Sequence, residues 1–266
     1  MTPEHPYGWW LPLNISSIGS SLDRLFYVVH GFMAVLFFGW LAFFVYVLWR
    51  FRASNGHKAS YETDTRHLNT YLEAAVIVFE LVLIFIFSLP LWAMAKYQLP
   101  PEDQAVQINV VAEQFAWNIH YPGADGKFGR RNPELMNLNN PIGLDREDPV
   151  AKDDIVTANE LVVPSGKPVL IHLTSKDVIH SFFLPVLRVK QDAIPGQSIK
   201  VWFQATQNGD FEIACAQLCG AAHYRMMGKL IIKSPEDFDA WLKEKGEAAQ
   251  SQSQAAAAAK SSGSDW

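Results

Sequence analysis

Two blocks of nearly uninterrupted apolar residues dominate the first third of the chain. Leu25 to Trp49 contains no charged residue, and its 25 positions are enough to cross a bilayer. Leu72 to Ala95 repeats the pattern, interrupted by Glu73 and Glu80. The first block begins well inside the chain and lacks the basic leader and small-residue cleavage site of a signal peptide. Both blocks therefore predict retained transmembrane helices. Arg50, Arg52, Lys58 and Arg66 lie between them, whereas the first 23 residues contain no Lys or Arg. That asymmetry predicts a hairpin over 25–96 in the inner membrane, with its connection in the cytoplasm. Segment 1–24 and everything after the second span fall on the periplasmic side.

Beyond Leu99 the apolar positions alternate in short stretches: Val106 to Val110, Pro168 to Thr174, Ile199 to Phe203, Phe211 to Cys215 and Gly228 to Ile232. Period two with Gly and Pro punctuation predicts an all-β domain over 97–245, an antiparallel sandwich or barrel. A polar run between Tyr121 and Asn159, rich in Asn, Asp, Pro and Gly, reads as a long loop over 122–159 that is functional or partner-bound. Ser234 followed by Pro235 resembles a helix start, which predicts a short helix through Trp241 to Lys245. From Gly246 to Trp266 the Ala, Gln and Ser repeats have little to bury and predict a disordered tail.

Composition changes this picture little until the cysteines are placed. Among 266 residues the net charge is −5, which argues against nucleic acid. The only two cysteines stand four positions apart in the run CAQLCGAAHYRM. Cys215, Cys219, His223 and Met226 supply two thiolates, an imidazole and a thioether, and this soft donor set favours copper. His180, in KDVIHSFFLP, is the best candidate for a distant ligand. A disulfide and a zinc ion held by two Cys and two His are the competing readings. A single blue-copper site normally uses one Cys, so the second is surplus there. Two thiolates with two imidazoles point to a pair of coppers sharing one electron. No CxxCH occurs, so no c-type haem is expected on this chain.

The run CAQLCGAAHYRM, preceded by DVIHSFFLPVLRVKQDAIPG, resembles the signature of subunit II of the haem–copper oxidases, the cytochrome c oxidase type. The likeness extends from Leu25 to about Leu242. It implies a cupredoxin-like barrel or sandwich after the hairpin. It also implies a copper A centre of two copper ions held by His180, Cys215, the backbone carbonyl of Gln217, Cys219, His223 and Met226. In such a proton-pumping oxidase, electrons arrive from a c-type cytochrome and pass to haem in subunit I, where oxygen is reduced to water. Other oxidase subunits complete the complex. The stretch carrying Arg188, Lys190 and Asp192 is expected to face subunit I, for electron transfer or water exit.

Several positions depart from the family pattern. The family places a glutamate at position 217, where its side chain binds magnesium or manganese with an acidic residue matched here by Asp192. Gln217 is a weaker partner for a hard cation, which leaves that site open. The electron-entry tryptophan aligns with Phe115, and Trp117 matches the next aromatic. Lys176 stands where an acidic docking residue is usual, although Asp177 remains. These changes suggest a donor of different geometry, a tethered or supercomplex-bound cytochrome. Glu73 matches the family's proton-entry glutamate, seventeen positions before Pro90. Glu80, nearly two helical turns on, either extends that path or is neutral and hydrogen-bonded against subunit I. A quinol oxidase would lack these copper ligands, and nitrous oxide reductase is not led by two membrane spans. A zinc-stabilised membrane anchor is the structural alternative.

Overall fold

The computed structural model describes residues 11–53, 56, 58, 61 and 67–262. It forms two compact units, one from Ser20 to Gln98, the other from Leu99 onward together with the segment ending at Gly19.

The first unit is helical. Helix α1 spans Gly19–Arg50; α2 (Leu68–Val82) continues through a π-helical stretch, Leu83–Ser88, into α3 (Leu89–Lys96). Both predicted spans fall inside these helices, and each rod is long and apolar enough to cross a membrane. The Phe32 and Phe79 rings meet at 4.0 Å. The wide turn immediately precedes Pro90, whose missing N–H and bulky ring disrupt regular α-helical bonding there. Of the four basic residues invoked for orientation, Arg66 lies outside the described residues.

The second unit packs ten strands as two sheets. They are β1 (Val106–Glu113), β2 (Ala116–Tyr121), β3 (Ile155–Ala158), β4 (Glu160–Pro164), β5 (Pro168–Ser175), β6 (His180–Leu184), β7 (Val189–Ala193), β8 (Ile199–Gln204), β9 (Gly209–Cys215) and β10 (Met227–Lys233). One sheet has the order β3-β2-β1-β5-β8, the other β4-β10-β9-β6-β7. Inward-facing Ile108, Val110, Ile171, Leu173, Phe182 and Leu230 are buried between them. This is the cupredoxin-like all-β sandwich expected, with one correction: it is mixed, because β1 pairs with β5 and β4 with β10 in parallel. Between β1 and β5 the chain leaves its sheet at Asn159 and returns after β4, so β5 re-enters running the same way. Asn159 makes that corner with φ 58°, a left-handed conformation that asparagine tolerates. Its backbone and side chain bond both Trp117 peptide groups, and its carbonyl accepts from Lys229 N–H.

The N-terminal segment is part of this sandwich. Ile15 is fully buried and bonds Val186 and Thr206 through its backbone. The 122–159 run is also less open than predicted. It contains short 3-10 turns at Pro133–Leu135 and Pro149–Lys152, and β3 occupies its end. Ile142, Leu144 and Ala151 form a small apolar cluster with Val111. One buried carboxylate holds its base. Asp154 accepts His120 Nε2–H at 2.6 Å and the backbone N–H groups of Gly129 at 2.8 Å and Gly123 at 3.3 Å. His120 and Asp154 are fully buried. The Asn109 amide lies 3.3 Å from His120 Nδ1, which suits a neutral ring that donates on one side and accepts on the other.

Helix α4 begins as predicted: Ser234 Oγ accepts from Asp237 N–H at 3.1 Å. Trp241 packs edge-on against Tyr121 at 5.1 Å. The helix does not stop near Lys245, however, and runs Pro235–Ser262, where a disordered tail was expected. Alanine, glutamine and lysine are good helix formers, and the extension has something to rest on: Ala249 is buried and Ser253 Oγ donates to Lys152 O. Residues 263–266 lie outside the described residues.

Burial dominates His120 and lowers its pKa, opposed by Asp154. A base depressed in the fold contributes stability that is present above its unfolded value, near 6.5, and lost as pH falls through the folded value. Hydrogen exchange of residues 122–154 is expected to accelerate as pH drops below about 6.5, after correction for intrinsic rates. Asp154→Ala, which removes the group that opposes the shift, should strengthen that dependence and cost about 3 kcal/mol in thermal or denaturant unfolding.

Candidate metal centre

Strands β9 and β10 are antiparallel neighbours up to the pair Ala214 and Met227. The intervening residues must therefore close back on themselves at one end of the sandwich. Gly220, at φ 138°, takes a backbone conformation that side chains disfavour. A short 3-10 turn, His223–Arg225, then returns the chain to β10. His180 arrives from the neighbouring strand β6, which pairs with β9 through Phe182 and Cys215.

All six positions named from the sequence converge here. Cys215 Sγ and Cys219 Sγ are 3.8 Å apart, and both thiols are free. Cys215 Sγ lies 3.3 Å from the Gln217 carbonyl oxygen, and Cys219 Sγ 3.5 Å from His223 Nδ1. Met226 Sδ is 3.7 Å from Cys219 Sγ and 3.1 Å from His180 Nδ1. His180, Cys215 and Cys219 present ligand atoms within 4.8 Å of one another, the one such group among the described residues. The donors fit soft or borderline metal ions: two thiols, a thioether and two imidazoles, with a carbonyl at the edge. Burial and the adjacent Cys215 push the Cys219 thiol up to about 11, so without metal Cys219 keeps its proton at neutral pH.

Asp177 orients His180. Its Oδ1 accepts His180 Nε2–H at 3.0 Å and Val178 N–H at 2.7 Å, while Oδ2 accepts Gln114 N–H at 2.7 Å. This leaves the Nδ1 lone pair facing the sulfur atoms. Burial alone would raise the Asp177 carboxyl, but these donors outweigh it and hold it below the usual range. The sequence identified Asp177 only as an acidic docking position; its exposed carboxylate also bonds the His180 ring. Gln114 was not singled out at all. Its carboxamide donates to Cys219 O at 2.7 Å, but the two residues are 105 positions apart and no motif links them.

The remaining candidates are dispersed. Trp117 is fully buried, with its ring 6.2 Å from that of His180, and cannot be a surface contact in this conformation. Phe115 packs partly buried against the core. Lys176 Nζ binds Glu113 Oε2 at 2.6 Å. Asp192 is exposed on β7, opposite Ser181. Arg188 donates to the Pro12, Leu13 and Pro185 carbonyls, so it secures the N-terminal segment. Lys190 Nζ sits 4.3 Å over the Phe183 ring. Glu73 and Glu80 both lie on α2 in the helical unit.

Residues 106–234 match the family model for the periplasmic domain of cytochrome c oxidase subunit II. The alternative cytochrome c oxidase subunit 2 of Bradyrhizobium diazoefficiens is 33% identical over 239 residues, covering 89% of this chain and 83% of that protein. Cytochrome c oxidase subunit 2 of Cereibacter sphaeroides is 31% identical over 213 residues, covering 75% and 68% respectively. The crystal structure of the periplasmic domain of subunit II of cytochrome oxidase from Bradyrhizobium japonicum is 30% identical. It covers 56% of this chain and 98% of that one, with a TM-score of 0.42.

Proposed function

The chain belongs to the cytochrome c oxidase subunit II family, and on that premise we propose that it is the electron-entry subunit of a proton-pumping oxidase. In this reading it accepts electrons from a c-type cytochrome at a binuclear copper centre and passes them to haem in subunit I, where oxygen becomes water. The observation that carries the proposal is the convergence of two unbonded thiols, a thioether and two imidazoles at one end of a rigid sandwich.

Cys215, Cys219, His180 and His223 would hold the two ions, with Met226 and the Gln217 carbonyl completing the set. When bound, a copper pair supplies a one-electron relay whose charge is shared over two ions. The protein's own part is to keep these donors from moving. The β9–β10 pairing and the Asp177 bond to His180 both serve that end. A magnesium ion held by Asp192 and Gln217 is disfavoured within this chain, because a neutral amide is a poor ligand for a hard cation.

For the membrane arrangement, the segment before α1 and the domain after α3 belong to one compact unit, which supports a two-span hairpin with both on one side. The basic connection assigns that side to the periplasm of the inner membrane. Both glutamates lie on α2, so their spacing of seven residues puts them on nearly the same helix face. We assign proton entry to Glu73 and a neutral, hydrogen-bonded state against subunit I to Glu80.

Of the acidic groups near the site, Glu113 is paired with Lys176, and Asp177 is bonded to His180 and Gln114 while remaining exposed. Around the loop, Leu218 is 78% exposed, Tyr224 76% and Met227 58%. This supports apolar contact with protein partners and a cytochrome donor held in place, within the complex or a supercomplex, rather than steered by charge. Phe115 is our candidate for the entry aromatic.

Loaded with copper, the purified full-length chain is expected to hold two ions and to give the electron resonance spectrum of one unpaired electron shared between them. One colourless zinc would instead favour the membrane-anchor reading. Soluble cytochrome c should reduce the intact oxidase with little dependence on ionic strength; a steep decline with salt would sink the apolar-docking idea. In the assembled oxidase, Glu73→Gln is expected to slow turnover at least tenfold by the logic of proton-transfer catalysis, with Glu80→Gln leaving turnover and pumping unchanged.

A further inference from the structure

Gln114 lies in the hairpin between β1 and β2, in the sheet that carries none of the proposed metal ligands. Every sulfur and imidazole donor belongs to the other sheet or to the loop that closes it. From the first sheet, Gln114 reaches across twice. Its side-chain amide donates to Cys219 O at 2.7 Å, and its backbone N–H donates to Asp177 Oδ2 at 2.7 Å. The other oxygen of Asp177 accepts His180 Nε2–H at 3.0 Å. A single residue is therefore bonded directly to the thiol loop and, through one carboxylate, to the distant imidazole.

Space for this contact is provided by the loop itself. A Cβ on Gly220 would stand 2.7 Å from Gln114 Nε2 and 3.1 Å from Phe115 Cζ. The glycine following Cys219 thus lets the amide and the Phe115 ring approach the metal loop. The contact is also economical in donors, since the carboxamide bonds a backbone carbonyl and leaves the Cys219 sulfur free for a metal.

We propose that Gln114 and Asp177 form a positioning bracket for the metal centre, tying His180 and the Cys219 loop together from the opposite sheet. The pair acts through the ligands and contributes none itself. Removing the amide leaves Cys219 held only by its own loop and by packing, while the Gln114 backbone N–H still holds Asp177 Oδ2 and, through it, His180. The separation and orientation of the thiols and the imidazole then become variable. The bracket also puts Phe115, the candidate entry aromatic, on the residue next to the one that sets ligand geometry.

The inference rests on the copper reading above, and its test separates the two. Full-length chain in detergent is loaded with copper. Three quantities are read: release of copper to a chelator, the electron resonance spectrum, and unfolding of the metal-free protein. Gln114→Leu and Gln114→Glu, neither of which can donate to the Cys219 carbonyl, are expected to release copper about tenfold faster or more. They should also shift the spectrum toward two inequivalent ions. Asp177→Ala should do the same. The double variant Gln114→Leu with Asp177→Ala should be less than additive, because the two residues act as one unit.

Asp154→Ala, which weakens the domain far from the loop, serves as the stability control and should leave the spectrum unchanged. Wild-type loading with unaltered release and spectra in both Gln114 variants would overturn the bracket alone. So would an equal loss of copper from Asp154→Ala at matched stability. A wild-type chain that takes up no copper would overturn the copper reading and the bracket together.

Discussion

The pairing of β9 with β10 continues to the residues that bound the thiol loop, Ala214 and Met227, and the rest of the site depends on that closure. A loop whose ends are held at strand spacing has little freedom to spread, so its donors are forced into a small volume. Cys215, still in β9, inherits the rigidity of the sheet. Cys219 and Met226 are buried beneath the loop. Only His180 comes from elsewhere, and it reaches the cluster because β6 is the next strand over. The energetic cost of crowding two thiols, a thioether and two imidazoles falls on a framework already stabilised by apolar burial between the sheets.

That framework is reinforced by buried polar contacts at its edges as well as by its core. His120 and Asp154 form one such knot, with two backbone N–H groups completing the carboxylate. Each member would be expensive to bury alone, so they are retained as a set. Asn159 is another, making the corner at which the chain changes sheets while bonding both peptide groups of Trp117. Arg188 ties the segment before the first span to the sandwich through two backbone carbonyls. Helix α4 runs past the base of the long polar run and meets it at Lys152. These contacts hold rigid what would otherwise be the least constrained parts of the domain.

The same economy shapes the electrostatics near the proposed metal centre. Acidic side chains that could have faced a basic partner are bonded within the domain, and the loop surface is left with exposed Leu218 and Tyr224. Asp177 illustrates the change of role. Its position looks like surface charge, yet both its oxygens accept hydrogen bonds from the site. The carboxylate stays exposed and charged, so one residue both orients the imidazole and keeps its surface charge.

Local pattern determined much of this protein. Apolar runs of helical length specified the two long apolar helices, period-two stretches specified five of the strands, and the spacing of Cys215, Cys219, His223 and Met226 specified the donor types. Strands such as β4 and β7 are too short or too polar for alternation to stand out, and their pairing comes from neighbours far along the chain. The parallel β1–β5 and β4–β10 pairs likewise depend on where a crossover leads, which no local period records. The helical tail lay beyond local reading for a related reason: its polar repeats bury little, and contact with the rest of the domain gives them a surface to follow. Tertiary structure alone decided that Asp177 bonds the Gln114 backbone and that Gln114 reaches Cys219 across 105 positions. Such hydrogen bonds are set by the meeting of two sheets, and a single chain of letters carries periodicity and spacing but not which distant groups will meet.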